Sequence, residues 1–355
     1  MKYVRPEIEA LKGYVPGYQP RPVEEVIKLN TNENPYPPSP RVIEAIEVQA
    51  RQGLERYPSP MADSFREQAG EVLGVQPDWI LAGNGSDDIL TICTRAFVGQ
   101  GETIRSPYPS YILYRTLAEI QGARIDFARF RDDWSLGDDF ATELAESKLR
   151  LGVIPNPNSP TGTFIEPEAI YELAQKMSCP LLIDEAYVDF ASRSCVELVA
   201  RDERIMVCRT LSKSYGLAGL RFGYIVAQPH MIAELAKVKD SYNCDALSIA
   251  GATAALADQD WLAENRAKIL ATRKRLVAAM TDLGFEQPES HANFTWNTHP
   301  DVSHRTIAEK LADAGIYVRY MDYDDYGDGL RISVGTDRQN ELCISKIAEI
   351  IAAES

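Results

Sequence analysis

The chain has 355 residues, a length that allows two or three compact domains. Of these residues 45% are hydrophobic and 25% are charged, which is typical of a folded globular protein. Its formal net charge of −15 argues against non-specific binding to nucleic acid or to an anionic membrane, because phosphate contacts need clustered lysines and arginines. Six scattered cysteines without a C-x-x-C pair, together with only four histidines, favour reduced core thiols and no metal site.

The N-terminal residues are rich in proline, tyrosine and asparagine, which disfavours regular secondary structure. We therefore expect residues 1–35 to form an arm that lies over another surface, and such arms often cross to a partner subunit. The start lacks the apolar core of a signal peptide, and no apolar run reaches the roughly 18 residues of a membrane span. The expectation is a cytoplasmic protein without membrane contacts.

From about Pro40, helical patterns alternate with short apolar runs such as WILA, ARIDFAR, LRLGVIP, LLID and RIMVCRT. This βα alternation predicts an α/β fold with a mostly parallel sheet. We assign residues 36–254 to this large domain. Ligands of open α/β sheets bind beyond the carboxyl ends of the strands, so the polar residues that follow these runs are the candidates for chemistry.

A long helical pattern, WLAENRAKILATRKRLVAAMTDLG, leads from the large domain to a second unit. In that unit FTWNTH, GIYVRYM and LRISVGT are typical of strands and accompany two helical patterns. Residues 255–355 are therefore predicted to form a smaller α+β domain, which the N-terminal arm could join.

Lys213 follows the apolar run IMVCRT and lies among small and hydroxyl residues. A lysine so placed can be partly desolvated and act as a Schiff-base nucleophile. Arg221, eight residues later and beyond a Gly-rich turn, can bring its guanidinium to a phosphate, with the Ser212 hydroxyl as a second donor. Taken singly, Lys213 and Arg221 are better explained as surface residues.

Asp184 ends the apolar run LLI, and Tyr187 follows three residues later. A carboxylate at this position can hold a pyridinium nitrogen protonated, and the charged ring then acts as an electron sink. Tyr187 can donate to a phenolate oxygen on the same ring. A strand-end aspartate alone is more often a metal ligand, a helix cap or a turn residue.

Two turns complete the set of signals. GNGSD at residues 83–87 opens a helix, so its backbone N–H groups and the Ser86 hydroxyl can form a phosphate site, although an ordinary helix start fits equally well. NPNSPTG at residues 156–162 is a rigid turn with Ser159–Pro160 as a candidate cis peptide, or simply a structural loop. The joint order of the four signals, each at a βα position, favours an enzyme site.

At these residues the sequence resembles the fold-type I, aspartate-aminotransferase-like enzymes that depend on pyridoxal 5'-phosphate, and within them the histidinol-phosphate aminotransferases. The resemblance runs from about Tyr14 to the C-terminus and includes YVPG, LNTNENPY, RYP, LAGLRFGY and LRISVG. The family implies a large, mostly parallel seven-stranded sheet domain flanked by helices, a smaller α+β domain, pyridoxal 5'-phosphate as cofactor and a homodimer.

By this resemblance Lys213 carries the cofactor as a Schiff base, Asp184 pairs with the pyridine nitrogen and Tyr187 meets the ring hydroxyl. The other cofactor contacts that the family implies are Ser86, Asp87, Ser212 and Arg221 around the phosphate, Tyr111 stacked on the ring, and Tyr57 from the partner subunit. Because Tyr57 would complete the partner's site, the resemblance implies an obligate dimer.

The substrate contacts that the family implies are Arg319 and Arg331 in the small domain, and Tyr14 and Glu33 in the arm. Two arginines suit an anionic group, either a phosphate or the carboxylate of glutamate. From the residues alone, Arg319 fits a solvated charge, Arg331 a surface ion pair and Tyr14 a hydrophobic staple.

The chain departs from the family pattern at two positions. Ser159 stands where many relatives have a second asparagine that touches the ring hydroxyl, and we assign that role to Asn158. Asp87-Asp88 stands where the family commonly has Asp-Glu, a change that keeps the charge.

The reaction that the resemblance implies is transamination between L-histidinol phosphate and 2-oxoglutarate, which yields imidazole acetol phosphate and L-glutamate with ping-pong kinetics. Two other reactions on the same fold stay open, namely transamination of aromatic amino acids and decarboxylation of O-phosphothreonine. A non-catalytic ligand sensor is disfavoured, because the chain has no basic patch or added DNA-binding segment and retains both the lysine and the aspartate.

Overall fold

A computed structural model describes residues 3–11, 13, 17–21, 26–142 and 148–354. The strands are β1 Ile27–Leu29, β2 Ile80–Gly83, β3 Thr103–Tyr108, β4 Arg124–Arg129, β5 Leu149–Pro155, β6 Leu181–Asp184, β7 Ile205–Thr210, β8 Gly223–Val226, β9 Phe294–Asn297, β10 Ile316–Tyr323 and β11 Gly327–Ser333. The helices are α1 Pro6–Ala10, α2 Pro40–Gln52, α3 Asp63–Leu73, α4 Ser86–Phe97, α5 Leu113–Gln121, α6 Pro167–Lys176, α7 Leu198–Arg201, α8 Pro229–Ala236, α9 Ala246–Ala257, α10 Gln259–Asp282, α11 His304–Asp313 and α12 Asp337–Glu354.

Seven strands form the large sheet, in the order β2-β8-β7-β6-β5-β3-β4. The strands from β7 to β4 are parallel to their neighbours, whereas β8 runs antiparallel to both β2 and β7. The predicted α/β fold with a mostly parallel seven-stranded sheet is therefore confirmed. β8 was not among the predicted strands, because its four residues follow directly on the Gly-rich turn after Lys213.

Helices cover both faces of this sheet, which explains why its central strands are apolar throughout. Side chains alternate along β6: Leu181 and Ile183 belong to one hydrophobic cluster and Leu182 belongs to the other. The first cluster reaches α2, α3, α6 and α9, and the second reaches α4, α5 and α8. The sheet is thus buried on both sides, and its strand ends are where polar groups can face solvent or a ligand.

A second sheet has the order β1-β10-β11-β9. The strand β1 comes from the N-terminal segment and pairs parallel to β10, while β10, β11 and β9 are antiparallel. Its hydrophobic cluster includes residues of α10, α11 and α12, such as Ile269, Ile307 and Ile347. The N-terminal segment therefore contributes a strand to the smaller sheet.

Three further features bear on the sequence predictions. The Ser159–Pro160 peptide is cis, as predicted. All six cysteines are buried. None of the helices in the described ranges has both the length and the apolar character needed to cross a membrane.

Candidate active site

One pocket lies at the carboxyl ends of β5, β6 and β7, where the strand-end rule places ligands in an open α/β sheet. It is closed on the other side by residues from β10, β11 and the segment that follows β1. The predicted site residues in its walls are Ser86, Asp87, Tyr111, Asp184, Tyr187, Ser212, Lys213, Arg221, Arg319 and Arg331.

Asp184 is the last residue of β6, and its carboxyl group is buried. Burial raises the pKa of Asp184 to about 6, although the Tyr114 hydroxyl, at 2.7 Å, and the Ala186 N–H, at 3.1 Å, donate to the carboxylate and lower the pKa. The nearby carboxylates of Asp87 and Glu185 raise it further. Ionised Asp184 would therefore be strongly stabilised by a cation in the pocket.

Tyr114 is a site residue that the sequence did not predict. Its ring is buried in α5 and lies edge-on to the ring of Tyr111, with the centroids 5.7 Å apart. The spacing of three residues between the two tyrosines puts them on one side of the helix start, and this is the signal that could have identified Tyr114. Its hydroxyl fixes the orientation of the Asp184 carboxylate.

Lys213 follows β7 and extends into the pocket, where Nζ donates to the carbonyl oxygen of Thr31 at 3.1 Å. The same nitrogen lies 5.8 Å from the centroid of the Tyr187 ring. The next residue, Ser214, is held at its carbonyl oxygen by Asn34 Nδ2 at 2.8 Å. The N-terminal segment thus contacts both the lysine and the residue that follows it.

The helix α4 begins at the edge of the pocket with Ser86 and Asp87. Its N-cap residue, Gly85, provides no side-chain cap, so the N–H groups of the first turn are available to an anion. Arg221 reaches the same place, where Nη1 donates to Ser212 Oγ at 3.3 Å and Nη2 lies 3.5 Å from Asp87 Oδ2. A guanidinium, a hydroxyl and a helix N-terminus together suit a phosphate.

Two glycines allow this close approach. A Cβ on Gly85 would lie 2.6 Å from Arg221 Nη2, and a Cβ on Gly223 would lie 2.6 Å from the backbone nitrogen of Ser86. Gly85 also has φ of +86°, a conformation that glycine adopts without strain. The neighbouring Asp88 faces away and accepts from the Asn84 N–H at 2.9 Å, which separates its structural role from the pocket position of Asp87.

Arg319 and Arg331 lie directly opposite each other in the antiparallel pair of β10 and β11. Like charges at such a position are destabilising unless an anion lies between them. Arg331 Nη1 donates to Ser159 Oγ at 2.9 Å and Nη2 to the Asn30 carbonyl oxygen at 3.2 Å. Its Nε is buried and has no partner among the described residues, so it is a donor without an acceptor.

The Tyr187 ring packs edge-on against Phe294, and its hydroxyl accepts a hydrogen bond from Asn32 Nδ2 at 3.0 Å. Asn32 is buried, lines the pocket and has φ of +57°. In the sequence, the LNTNENPY segment is a family motif that implies a role for Glu33 within it, but none for Asn32.

Asn158 is not in the pocket wall, whereas Ser159 is. The Asn158 amide is buried, and Nδ2 donates to the Pro109 carbonyl oxygen at 3.2 Å and to Thr161 Oγ1 at 2.9 Å, which braces the NPNSPTG turn. A contact of Asn158 with a ring hydroxyl stays a prediction, and the geometry favours Ser159 for any contact from this turn.

Two other predicted residues, Tyr57 and Glu33, are not in the pocket wall. Tyr57 is 80% exposed and stacks on Tyr242 with the ring centroids 4.3 Å apart, away from the pocket of its own chain. Burial raises the pKa of Glu33, but hydrogen bonds from Lys28 and Thr31 and the nearby charge of Lys213 lower it overall. Tyr14 lies outside the described residues.

The pocket therefore offers distinct chemistry at four places: an anion site at α4 and Arg221, a buried carboxylate at Asp184, an amine at Lys213, and a second anion site at Arg319 and Arg331. In the described ranges no three histidine, cysteine, aspartate or glutamate residues are grouped so that they could hold a metal ion. The arrangement suits a flat, basic ring with a phosphate at one end, held beside a substrate that carries an anionic group.

Comparisons with known proteins agree with this chemistry. Residues 24–347 match the family described as aminotransferase class I and II. A histidinol-phosphate aminotransferase of Rhodopirellula baltica is 56% identical over 348 residues, covering 98% of this chain and 95% of the relative. One from Geotalea daltonii is 44% identical over 347 residues, covering 98% of this chain and 99% of the relative.

A solved structure extends the similarity to three dimensions. The histidinol-phosphate aminotransferase of Sinorhizobium meliloti, in complex with pyridoxal-5'-phosphate, superposes with a TM-score of 0.91 at 26% identity and covers 100% of this chain and 99% of that one. The chain belongs to the class I and II aminotransferases and, within them, to the histidinol-phosphate aminotransferase family.

Proposed function

We propose that this protein is a pyridoxal-phosphate-dependent aminotransferase that exchanges an amino group between L-histidinol phosphate and 2-oxoglutarate, giving imidazole acetol phosphate and L-glutamate. The observation that carries the proposal is that Lys213, Asp184 and the Arg221 anion site lie in the walls of one pocket. Family membership supplies the substrate pair.

The pocket fits pyridoxal 5'-phosphate on its own chemistry. The phosphate suits the first turn of α4 with Ser212 and Arg221, where Gly85 and Gly223 leave no room for a Cβ. The ring nitrogen suits Asp184, because burial raises the pKa of this carboxyl group and a protonated ring nitrogen beside it would stabilise the ionised form. When bound, the cofactor supplies an electron sink that delocalises the charge left on carbon after proton removal.

The residues of this chain then have separate tasks. Lys213 Nζ would hold the cofactor through its carbonyl carbon and, when free, would serve as the base that moves the proton of the substrate Cα. Asp184 would hold a proton on the ring nitrogen, and hydrogen bonds from Tyr114 and the Ala186 N–H fix the orientation of the carboxylate. Tyr111 and Tyr187 both line the pocket, where Tyr111 would stack on the ring and Tyr187 would donate to the ring oxygen.

The two arginines bind the anionic end of the substrate. In one half-reaction this is the phosphate of histidinol phosphate, and in the other it is a carboxylate of 2-oxoglutarate or glutamate. A single cationic position serves both because the two substrates occupy the pocket in turn. Glu33, which lies near Lys213, is proposed to contact the substrate, as is Tyr14.

The first experiment is an absorption spectrum of the purified protein with pyridoxal 5'-phosphate, followed by histidinol phosphate and then 2-oxoglutarate. We expect a visible cofactor band that is lost with the amine and returns with the oxo acid. A band that ignores histidinol phosphate but responds to phenylalanine, or CO₂ release from O-phosphothreonine, would replace the proposed substrate by one of the alternatives. Failure to form any band would contradict the cofactor assignment.

Replacing Arg331 by glutamine should raise KM for histidinol phosphate about 10- to 100-fold, since a charge-assisted hydrogen bond contributes about 1.5–3 kcal/mol. The KM for 2-oxoglutarate should rise as well, because both anions use the same position. Steady-state kinetics with each substrate varied in turn checks this. The control is Arg305→Gln, an arginine on α11 that stacks over Tyr320. An unchanged KM for both substrates would rule out the assigned role of Arg331.

We propose that the protein is a homodimer in which Tyr57 completes the partner's site. The support is the exposure of Tyr57, which follows a segment with further exposed apolar side chains at Ile43, Val48 and Leu54. A tyrosine that is 80% exposed and outside its own pocket can contribute to catalysis only across an interface.

Mixing two defective variants tests the shared site. Tyr57→Ala and Lys213→Ala are each expected to be impaired at limiting cofactor, but random exchange of subunits should leave up to about one quarter of the sites intact. Activity should therefore reappear on mixing. The control pair is Asp184→Asn with Lys213→Ala, in which every site of the mixed dimer lacks one group and no activity should return. Absence of recovery in affinity-tagged mixed dimers would contradict the sharing of Tyr57.

The division of the chain into residues 1–35, 36–254 and 255–355 is part of the proposal, supported by two sheets that each have their own hydrophobic cluster. The cytoplasmic location expected from the sequence stays a prediction.

A further inference from the structure

The segment that follows β1 joins three functional groups of the pocket. The Asn30 carbonyl oxygen accepts from Arg331 Nη2 at 3.2 Å, and the Thr31 carbonyl oxygen accepts from Lys213 Nζ at 3.1 Å. The next residue, Asn32, is 1% exposed and has φ of +57°. This left-handed conformation is strained for most residues with a Cβ, and asparagine is among those that tolerate it best.

Hydrogen bonds to Ser333 determine which way the Asn32 amide points. The Asn32 backbone N–H donates to Ser333 Oγ at 2.9 Å, so this oxygen is an acceptor there and its own proton is left to be donated. Asn32 Oδ1 lies 3.0 Å from Ser333 Oγ and accepts that proton. Nδ2 is therefore on the other side of the amide, 3.0 Å from the Tyr187 hydroxyl. The amide is the donor in that contact, and the hydroxyl oxygen is the acceptor.

This contact limits what the Tyr187 hydroxyl can do. An oxygen that accepts from Asn32 must direct its own proton elsewhere, and no group in the described part of the chain accepts it. The ring cannot turn freely, because it packs edge-on against Phe294 with the centroids 5.0 Å apart. The proton is therefore left to point into the pocket, which both Asn32 and Tyr187 line.

We propose that Asn32 is a positioning residue that keeps the Tyr187 hydroxyl a hydrogen-bond donor toward the ring oxygen of the cofactor. The inference rests on the proposed function, since that oxygen belongs to pyridoxal 5'-phosphate. The hydrogen bonds of Asn32 in the described structure go to Tyr187, Ser333 and Asn293, and none of them goes to Lys213. Asn32 acts through Tyr187, and Ser333 acts through Asn32.

The predicted consequence is spectroscopic. A hydroxyl that donates to the ring oxygen stabilises negative charge on it, so the proton shared between this oxygen and the lysine-bound nitrogen is released at lower pH. Losing the donor should move the midpoint of the pH-dependent change in the visible absorption band to higher pH. A net hydrogen bond to a charged oxygen corresponds to a shift of about one pH unit.

The test compares Asn32→Asp and Asn32→Gly in the cofactor-loaded protein. The aspartate has the shape of asparagine, but both of its side-chain oxygens are acceptors. The Tyr187 hydroxyl would therefore donate its proton to the introduced carboxylate in the Asn32→Asp variant and could no longer donate it to the ring oxygen. The midpoint should rise by about one pH unit. The glycine tolerates the positive φ and removes the amide without adding charge, so the hydroxyl is merely released and the rise should be smaller.

The same two substitutions in a Tyr187→Phe background separate the proposed role from a structural one. With the hydroxyl absent, Asn32→Gly should not move the midpoint further, and any residual shift with Asn32→Asp measures the direct effect of its charge. Equilibrium dialysis gives the cofactor dissociation constant of each variant as a readout independent of turnover. Asn32→Gly should weaken binding only when Tyr187 is present.

An unchanged midpoint in both single variants would overturn the proposal, as would equal shifts with and without the Tyr187 hydroxyl. If Asn32→Asp does not fold, Asn32→Gly alone still decides. A wild-type protein without a visible cofactor band would instead contradict the proposed function, so the two failures are distinguishable.

Discussion

Replacing Lys213 by alanine is expected to lower kcat for amino transfer by at least about 10⁴-fold, the upper range for loss of a positioned acid–base group. The effect should be this large because Lys213 has two tasks, binding the cofactor carbon and moving the Cα proton. No other lysine of the described residues lines the pocket, so none of them is placed to take over. Single-turnover absorbance changes after adding histidinol phosphate measure the loss directly.

A covalent readout separates this role from general disruption. Borohydride reduction of the loaded wild type, followed by peptide mass spectrometry, should place the cofactor on the peptide that contains Lys213 and on no other. The control is Lys237→Ala, which removes an exposed lysine beside α8 that pairs with Glu234. A small primary amine added to Lys213→Ala should restore part of the proton transfer. Retention of the cofactor on another lysine, with turnover near normal, would contradict the assignment.

The sequence predicted most of the large sheet and the residues on the cofactor side of the pocket, because both can be recognised from short stretches of neighbouring residues. Asp184, Lys213 and the α4 turn each lie at or just beyond the end of a strand, and parallel strands bring their carboxyl ends to one edge of a sheet. Once strands are recognised from apolar runs, these residues must meet. The β10 and β11 pairing that sets Arg319 opposite Arg331 is equally local, because one short turn joins the two strands.

The residues that the sequence did not predict depend on contacts between distant parts of the chain. Tyr114 and Asp184 are 70 positions apart, and Asn32 and Tyr187 are 155 apart. No periodicity relates such pairs, since each depends on how separate elements pack. The position of Asn158 outside the pocket wall also depends on a long-range contact: its Nδ2 donates to the Pro109 carbonyl oxygen, and this contact is not visible in the NPNSPTG turn itself.

The Asp184→Asn variant should lose at least about 100-fold in kcat, the loss expected when one preorganised electrostatic contact to developing charge is removed. An amide cannot hold a proton on the ring nitrogen as a carboxylate does, so the ring becomes a weaker electron sink. Cofactor binding should weaken too, and equilibrium dialysis measures this apart from turnover. Asp138→Asn, an exposed aspartate that pairs with Lys176, is the matched control.

The same substitution should leave the cofactor-free protein at least as stable as the wild type above pH 6. Burial raises the pKa of Asp184 from 3.8 to about 6, so the folded protein binds the proton more tightly than the unfolded chain does. The free energy of unfolding of the wild type therefore falls as pH rises from about 4 to 6 and then levels off, a loss of about 3 kcal/mol for two pKa units.

The Asp184→Asn variant does not lose this free energy of unfolding, because asparagine does not ionise. It does lose one hydrogen bond of about 1 kcal/mol, either from Tyr114 or from the Ala186 N–H. Because the cost of ionising the buried carboxyl exceeds that of the lost hydrogen bond, urea unfolding of the cofactor-free proteins at pH 4, 6 and 8 should increasingly favour the variant as pH rises. A variant that is less stable at pH 8 and also inactive would instead mean that Asp184 serves the fold. We expect the Asp184→Asn variant to keep its stability and to lose its turnover, because the buried carboxylate serves to bind the positive charge of the cofactor ring and does not stabilise the fold.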